Sequence, residues 1–152
     1  MQESARGVLL TPTGHVLLMK VAATGHPLWI TPGGRIQAGE DAAVAALREV
    51  REETGREGLR ITAEVWVRHG TCTSGGSQRP ERERFFLMPT ARFAPTSVGM
   101  EREEFQRHMA FRWWAIGEIA RSEERFVPGN LADLLRTLVA HGPTPAPIES
   151  GE

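Results

Sequence analysis

The chain has 152 residues and a mass of 16.8 kDa, the size of one ordinary domain, and its 40% hydrophobic and 24% charged residues exclude a disordered or fibrous protein. Eighteen basic against 19 acidic residues give a net charge of −1, so there is no overall basic field for sequence-independent nucleic-acid binding. The one cysteine, Cys72, excludes an intrachain disulfide and a multi-cysteine metal site, and no run approaches the roughly 20 apolar residues of a membrane span, so a cytoplasmic location is expected.

In chain order, Ala5–Leu10 and His15–Val21 are apolar runs separated by Thr11-Pro12-Thr13-Gly14, which predicts two strands and a tight turn. Leu28–Ile30 reads as a third short strand, ended by Pro32-Gly33-Gly34. From Glu40 to Thr54 the sequence is rich in helix formers and free of Gly and Pro. Ala43, Ala46, Leu47 and Val50 recur at helical spacing as a buried stripe, and Gly55 and Gly58 stop the helix. Ile61–Val67 and Arg84–Met88 read as strands around a polar loop, His69–Glu83. A second irregular stretch runs from Ala94 to His108, followed by a strand over Met109–Ile116. Leu131–His141 carries apolar residues at 131, 134, 135 and 138 and predicts a second amphipathic helix. Residues 1–141 thus read as one domain, and the Pro-containing tail 142–152 is expected to be disordered. Strands interleaved with helices imply an α/β or α+β layered domain.

The informative segment is Gly33–Gly55. Glu49, Glu52 and Glu53 stand at i, i+3 and i+4, so their side chains share one helix face within about one turn. Like charges at this spacing repel by a few tenths of a kcal/mol per pair. Arg48, four residues before Glu52, offsets part of that repulsion, and a divalent cation would offset more. Mg²⁺ takes oxygen ligands, typically a few carboxylates plus substrate phosphates. The Gly33-Gly34 turn lets a backbone carbonyl approach such an ion. A bare E-x-x-E-E is usually a solvated surface. The joint spacing of Gly34, Glu40, Arg48, Glu49, Val50, Glu52, Glu53 and Gly55 is different: average composition gives it a chance occurrence on the order of 10⁻⁷ in a chain this long.

This segment resembles the Nudix box, G-x5-E-x7-R-E-U-x-E-E-x-G-U with U a bulky aliphatic, and departs from it only at the last position, which is Arg56. Trp29-Ile30-Thr31-Pro32-Gly33-Gly34 is similar to the family's W-x-x-P-G-G approach, and Arg112-Trp113-Trp114 followed by Gly117-Glu118-Ile119 is similar to its late R-W-x-x-x-x-E-L segment. The resemblance implies an α/β/α sandwich with a mixed sheet, whose loop-helix-loop binds Mg²⁺ or Mn²⁺. It further implies metal-dependent hydrolysis of a nucleoside diphosphate linked to another moiety, by in-line attack of an activated water. Carried over by residue, Glu49, Glu52 and Glu53 would be the metal ligands, joined by the Gly33 carbonyl. Glu52 or Glu53 would be the base. Arg48 would orient the glutamates, and Glu40 with Gly34 would support the loop-helix-loop.

Beyond the box, Glu101, Glu103 and Glu104 are candidates for an additional metal-binding acid, with Glu81 and Glu83 as rivals. Arg35, Arg79, Arg82 and Arg84 could reach a phosphate. Trp29, Trp66 and Phe86 could stack on a base, although aromatics on strands are more often core. Trp113 and Trp114 must point to opposite faces of a strand. The five histidines show no ligand spacing, and Cys72 has no local His or Asp partner for a nucleophilic role.

A nucleotide-type small molecule is therefore the expected partner, with no membrane, no strong nucleic-acid binding, and a homodimer as an open possibility. Two other readings compete. A catalytically silent nucleotide-binding domain would have no reason to keep the acid cluster. An isoprenoid diphosphate isomerase would need a cysteine near the sheet core, and Cys72 lies in a polar segment.

Overall fold

The first two apolar runs form strands β1, Gln2–Leu10, and β2, His15–Ala23. They meet antiparallel at Leu10 and Val16, across a turn in which Gly14 takes φ 79°. In the computed structural model the described residues are 1–23, 26–74, 76–96 and 108–151. The remaining strands are β3 His26–Ile30, β4 Gly33–Arg35, β5 Ala63–Ser74, β6 Ser77–Pro89, β7 His108–Ala115, β8 Phe126–Val127 and β9 Ile148–Glu149. The helices among the described residues are α1 Ala42–Thr54, α2 Ile116–Arg121 and α3 Leu131–His141. The sheet is mixed and runs β8-β3-β2-β1-β6-β5-β9, with β4 also on β1 and β7 also on β2. The β1–β6 pair is parallel over its whole length, from Gln2 opposite Glu81 to Leu10 opposite Pro89.

Alternation along the strands divides the core between two faces. Ala5, Leu9, Leu17, Phe86 and Met88 meet α1 through Ala42, Ala45, Ala46 and Val50. Val8, Val16, Leu18, Trp66, Phe85, Leu87 and Trp114 meet α3 through Leu131, Leu134, Leu135 and Leu138. Sheet with helices on both faces is the expected sandwich, and the α3 stripe falls on the residues its periodicity marks. Trp113 and Trp114 do part to opposite faces, Trp113 against the α1 core and Trp114 in the α3 core.

Four expectations change. The helix begins at Ala42, not Glu40, because Asp41 caps it: its Oδ1 accepts the Ala43 and Val44 amides at 2.8 and 3.4 Å. Its buried stripe is Ala42, Ala45, Ala46, Val50 and Glu53, while Ala43 and Leu47 only flank the core. The polar segment 69–83 is no loop but the far half of a β5–β6 hairpin, paired from His69–Arg82 to Ser74–Ser77. Ser77–Pro80 lie past the end of β1, where β6 is exposed on both faces, so no apolar alternation is required there. Finally, the tail does not stay clear of the sheet. β9 lies parallel to β5, with Ile148 opposite Trp66 and the Ser150 amide donating to Val67 O at 3.0 Å.

Candidate active site

The Pro32-Gly33-Gly34 segment is drawn against β1 as strand β4, with Gly33 opposite Arg6 and Gly34 opposite Ala5. Gly33 is required by backbone contact, and Gly34 by the resting place of the Glu49 side chain. A Cβ on Gly33 would lie 2.4 Å from Ala5 O and 2.6 Å from Arg6 Cα, and one on Gly34 would lie 2.5 Å from Glu49 Cδ. The absence of side chains therefore lets α1 set its acids directly on the β4 backbone. The helix ends where Gly55 takes φ 77° and donates its N–H to Arg51 O.

Glu53 continues the buried stripe of α1 and is only 5% exposed. It accepts the Gly33 amide on Oε1 at 3.1 Å. Burial pushes its carboxyl up to about 8, against the pull of the Arg6 guanidinium, and the adjacent Glu49 carboxyl raises it further by charge and by a hydrogen bond. Two carboxyl groups thus meet beside the Gly33-Gly34 backbone, one of them out of water.

Arg48 organises the other acids. Its Nε and Nη2 donate to Glu40 Oε2 and Oε1 at 2.8 and 2.9 Å, a two-pronged pair. Nη1 donates to Glu49 Oε1 at 2.9 Å and stands 3.5 Å from Glu52 Oε2. Nη2 also donates to the Arg35 carbonyl at 3.2 Å. Glu40 in addition accepts the Gln37 amide, and the hydrogen bond from Arg48 holds its carboxyl down at about 2. The Arg48 guanidinium is correspondingly held above its ordinary value, first by Glu40. The β4–α1 loop is therefore closed by Glu40 and Arg48, and Glu52 is left at the rim with its side chain 36% exposed.

Other candidates are placed elsewhere. Arg35 turns outward to Gln2 Oε1 at 2.8 Å. Arg82 pairs with Glu3 and Arg84 with Glu64, both across the sheet surface. Arg79 is exposed on the outer hairpin. Trp29, Trp66 and Phe86 are all core. Trp29 is packed edge-on against Trp114 at 5.2 Å between ring centroids. Glu81 accepts the Ser4 hydroxyl. Glu101, Glu103 and Glu104 lie outside the described residues. A cavity of about 580 Å³ between α2 and α3, lined by Glu124, Arg125, Asp133 and Arg136 among others, contains none of the box residues.

The sequence reading missed Arg6 and Arg68. Glu83, considered there as a metal ligand, is 3% exposed and has each carboxylate oxygen engaged by a guanidinium: Oε2 by Arg6 Nε and Oε1 by Arg68 Nη1. Burial opposes its ionisation, but the two arginines hold it below the usual carboxylate range. Arg6 also donates to Thr31 O at 3.0 Å. The available signal was a charged residue in the middle of an otherwise apolar strand, Ala5-Arg6-Gly7-Val8.

Among the described residues no group of three or more acidic, histidine or cysteine side chains is placed to hold a metal ion. The oxygens that do converge are hard donors: the Glu49 and Glu53 carboxyls beside the β4 backbone, with Glu52 one turn away. An open, partial oxygen set of this kind suits Mg²⁺ or Mn²⁺, which complete their coordination with water and phosphate.

Comparison with known proteins identifies the family. A family model described as NUDIX domain matches residues 1–135. An RNA pyrophosphohydrolase of Sphingopyxis alaskensis is 31% identical over 144 residues, which cover 88% of this chain and 87% of that protein. The asymmetrical bis(5'-nucleosyl)-tetraphosphatase of Mus musculus is 30% identical over 101 residues, covering 66% and 65%. A NUDIX hydrolase from Nitrosomonas europaea shares the fold with a TM-score of 0.68 at 21% identity, covering 93% of this chain and 92% of its own. From the glycine-backed acids of α1 to the match over most of its length, the chain belongs to the Nudix family.

Proposed function

We propose that the protein is a metal-dependent pyrophosphohydrolase that cleaves a diphosphate bond in a nucleoside diphosphate linked to a second group. The observation that carries this reading is the meeting of Glu49 and Glu53 at the Gly33-Gly34 backbone, with Glu53 buried and its carboxyl raised to about 8. Keeping an acid in that place is costly unless a cation relieves it. The names of the relatives narrow the class: one is an RNA pyrophosphohydrolase, another an asymmetrical bis(5'-nucleosyl)-tetraphosphatase.

In this reading Glu49 and Glu53 would hold the ion together with the Gly33 carbonyl, and Glu52 would stand at the rim as the base. When bound, Mg²⁺ or Mn²⁺ supplies neutralisation of the diphosphate charge and activation of water. Arg48 keeps Glu49 and Glu52 from repelling one another and fixes their rotamers through its anchor on Glu40. Glu52 accepts the proton of the attacking water on its Oε1, since Oε2 faces Arg48 and the side chain alone of the three reaches solvent to this extent. Glu53 stays beneath, tied to the Gly33 amide, and fixes the β4 backbone against the helix. The burial of Glu53 excludes water from the floor of the site, where charge interactions are strengthened.

The test is a substrate panel with Mg²⁺ or Mn²⁺ and with EDTA: triphosphate-ended RNA, diadenosine tetraphosphate, nucleoside triphosphates, ADP-ribose and NADH. Release of phosphate, pyrophosphate or nucleotide from at least one of them, abolished by EDTA, is expected. Silence over the panel with a folded, metal-loaded protein contradicts the proposal.

A further inference from the structure

Three charged side chains on three neighbouring strands sit on the sheet face that elsewhere holds the α3 core. Arg6 of β1, Glu83 of β6 and Arg68 of β5 share the parity of Val8, Phe85 and Trp66. Their side chains are 15%, 5% and 16% exposed. Packed apolar residues would serve stability at least as well at such positions, so a buried ionic chain calls for a reason other than stability.

The contacts of Arg6 supply one. Its Cα and Cγ are, with Ala5 O, among the atoms that a Cβ on Gly33 would strike, at 2.6 and 2.7 Å. Its Nη1 donates to the Thr31 carbonyl, two residues before Gly33, and the next residue, Gly7, donates its amide to Pro32 O at 2.8 Å. Thr31, Pro32 and Gly33 are therefore all held from the β1 side. The Arg6 fork is itself held by Glu83, and Glu83 by Arg68. From the opposite side, Gly33 is held by Glu53. The Thr31–Gly33 backbone is thus clamped between a buried ionic chain and the buried acid of α1.

We infer that Arg6 is a positioning residue for the metal site, a tie from the Arg68–Glu83 pair to the Thr31–Gly33 backbone that fixes the Gly33 carbonyl and the Glu53 carboxyl relative to each other. This rests on the proposed function only in taking those two groups as ligands of a divalent ion. Arg6 touches neither the ion nor the substrate. Its guanidinium is what matters, because one fork must span Glu83 and Thr31 O at once, which a lysine ammonium cannot do in the same geometry.

The direction of the effect separates positioning from charge. Arg6 contributes a positive charge near Glu53, so removing it would tighten cation binding if electrostatics alone were at work. Positioning predicts the reverse. The experiment is Mn²⁺ titration followed by electron paramagnetic resonance, on the full chain and on Arg6→Gln, Arg6→Lys, Glu83→Gln and the double variant Arg6→Gln/Glu83→Gln, with the thermal midpoint of each recorded. Expected is a Mn²⁺ dissociation constant raised about 10- to 100-fold in each single variant, the range for outer residues that orient metal ligands, and a double variant no worse than the worse single one. Unchanged or tighter Mn²⁺ binding in a folded Arg6→Gln overturns the inference, as does full recovery in Arg6→Lys. Should Arg6→Gln not fold, the near-isosteric Glu83→Gln decides by the same criterion. Failure of the unaltered chain to bind Mn²⁺ would overturn the proposed function itself, whereas tight binding by the unaltered chain with no loss in the variants overturns only the role of Arg6.

Discussion

Gly34 and Glu49 contest the same volume: a methyl group on Gly34 would stand 2.5 to 2.7 Å from Cδ and both carboxylate oxygens of Glu49. The glycine is thus a condition for where the acid rests, not a loosening of the chain. Gly34→Ala is expected to leave the far-ultraviolet circular dichroism unchanged while displacing Glu49. Mn²⁺ affinity should fall by about tenfold or more, as for loss of a ligand's correct placement. Titration by electron paramagnetic resonance checks this, and an unaltered dissociation constant would show that Glu49 is free to move aside.

Glu40 and Arg48 give the loop-helix-loop an acid-resistant closure. The Glu40 carboxyl is depressed to about 2 by its hydrogen bonds from Arg48 and the Gln37 amide. A depressed carboxyl stabilises the fold fully above its unfolded value near 4.5, and that contribution is lost as pH falls toward about 2. The difference in thermal midpoint between the unaltered chain and Glu40→Gln should therefore be constant above about pH 5 and shrink progressively below it. A difference that does not depend on pH would place the role of Glu40 outside its charge.

Glu53 behaves in the opposite sense. With its carboxyl raised to about 8, its contribution in the metal-free protein is present below the unfolded value and is lost as pH rises through about 8. A cation needs the ionised form. Near neutral pH, Mg²⁺ or Mn²⁺ binding should then release about one proton per ion, and the affinity should climb with pH until about pH 8. Calorimetry in buffers of different ionisation enthalpy measures the proton count. The release should disappear in Glu53→Gln, and its persistence there would assign the proton to another group.

The tail makes a smaller, separate prediction. Ile148 packs beside Trp66 at the α3 core, half-buried. Ile148→Ala is expected to cost about 1 kcal/mol in urea unfolding, below the full core value because the site is only partly enclosed. It should not change metal affinity, since β9 lies at the β5 edge of the sheet and the acids lie over β1 and β4.

Local chemistry made part of this legible in advance. The box spacing marks Gly34 through Glu53 because its fixed positions answer short-range demands: a glycine for a close approach, an arginine for a four-residue salt bridge. The α3 stripe was readable for the same reason, since Leu131, Leu134, Leu135 and Leu138 all fall within one helix. What escaped is long-range. Arg6 and Glu83 are 77 residues apart, and no periodicity couples them. The outer β5–β6 hairpin escaped because Ser77–Pro80 of β6 are exposed on both faces, so the usual alternation is missing. The depth of Glu53 escaped because a one-residue rotation of the buried stripe, from Ala43 to Ala42, moves that acid from the flank into the core.

The central claim is that the α1 acids carry out a metal-dependent hydrolysis, and steady-state kinetics of Glu52→Gln and Glu53→Gln at saturating Mg²⁺ test it most directly. On the best substrate of the panel, kcat should fall by at least about 100-fold in each variant, with circular dichroism and thermal midpoint showing an intact fold. Either variant turning over at close to the unaltered rate would contradict the account.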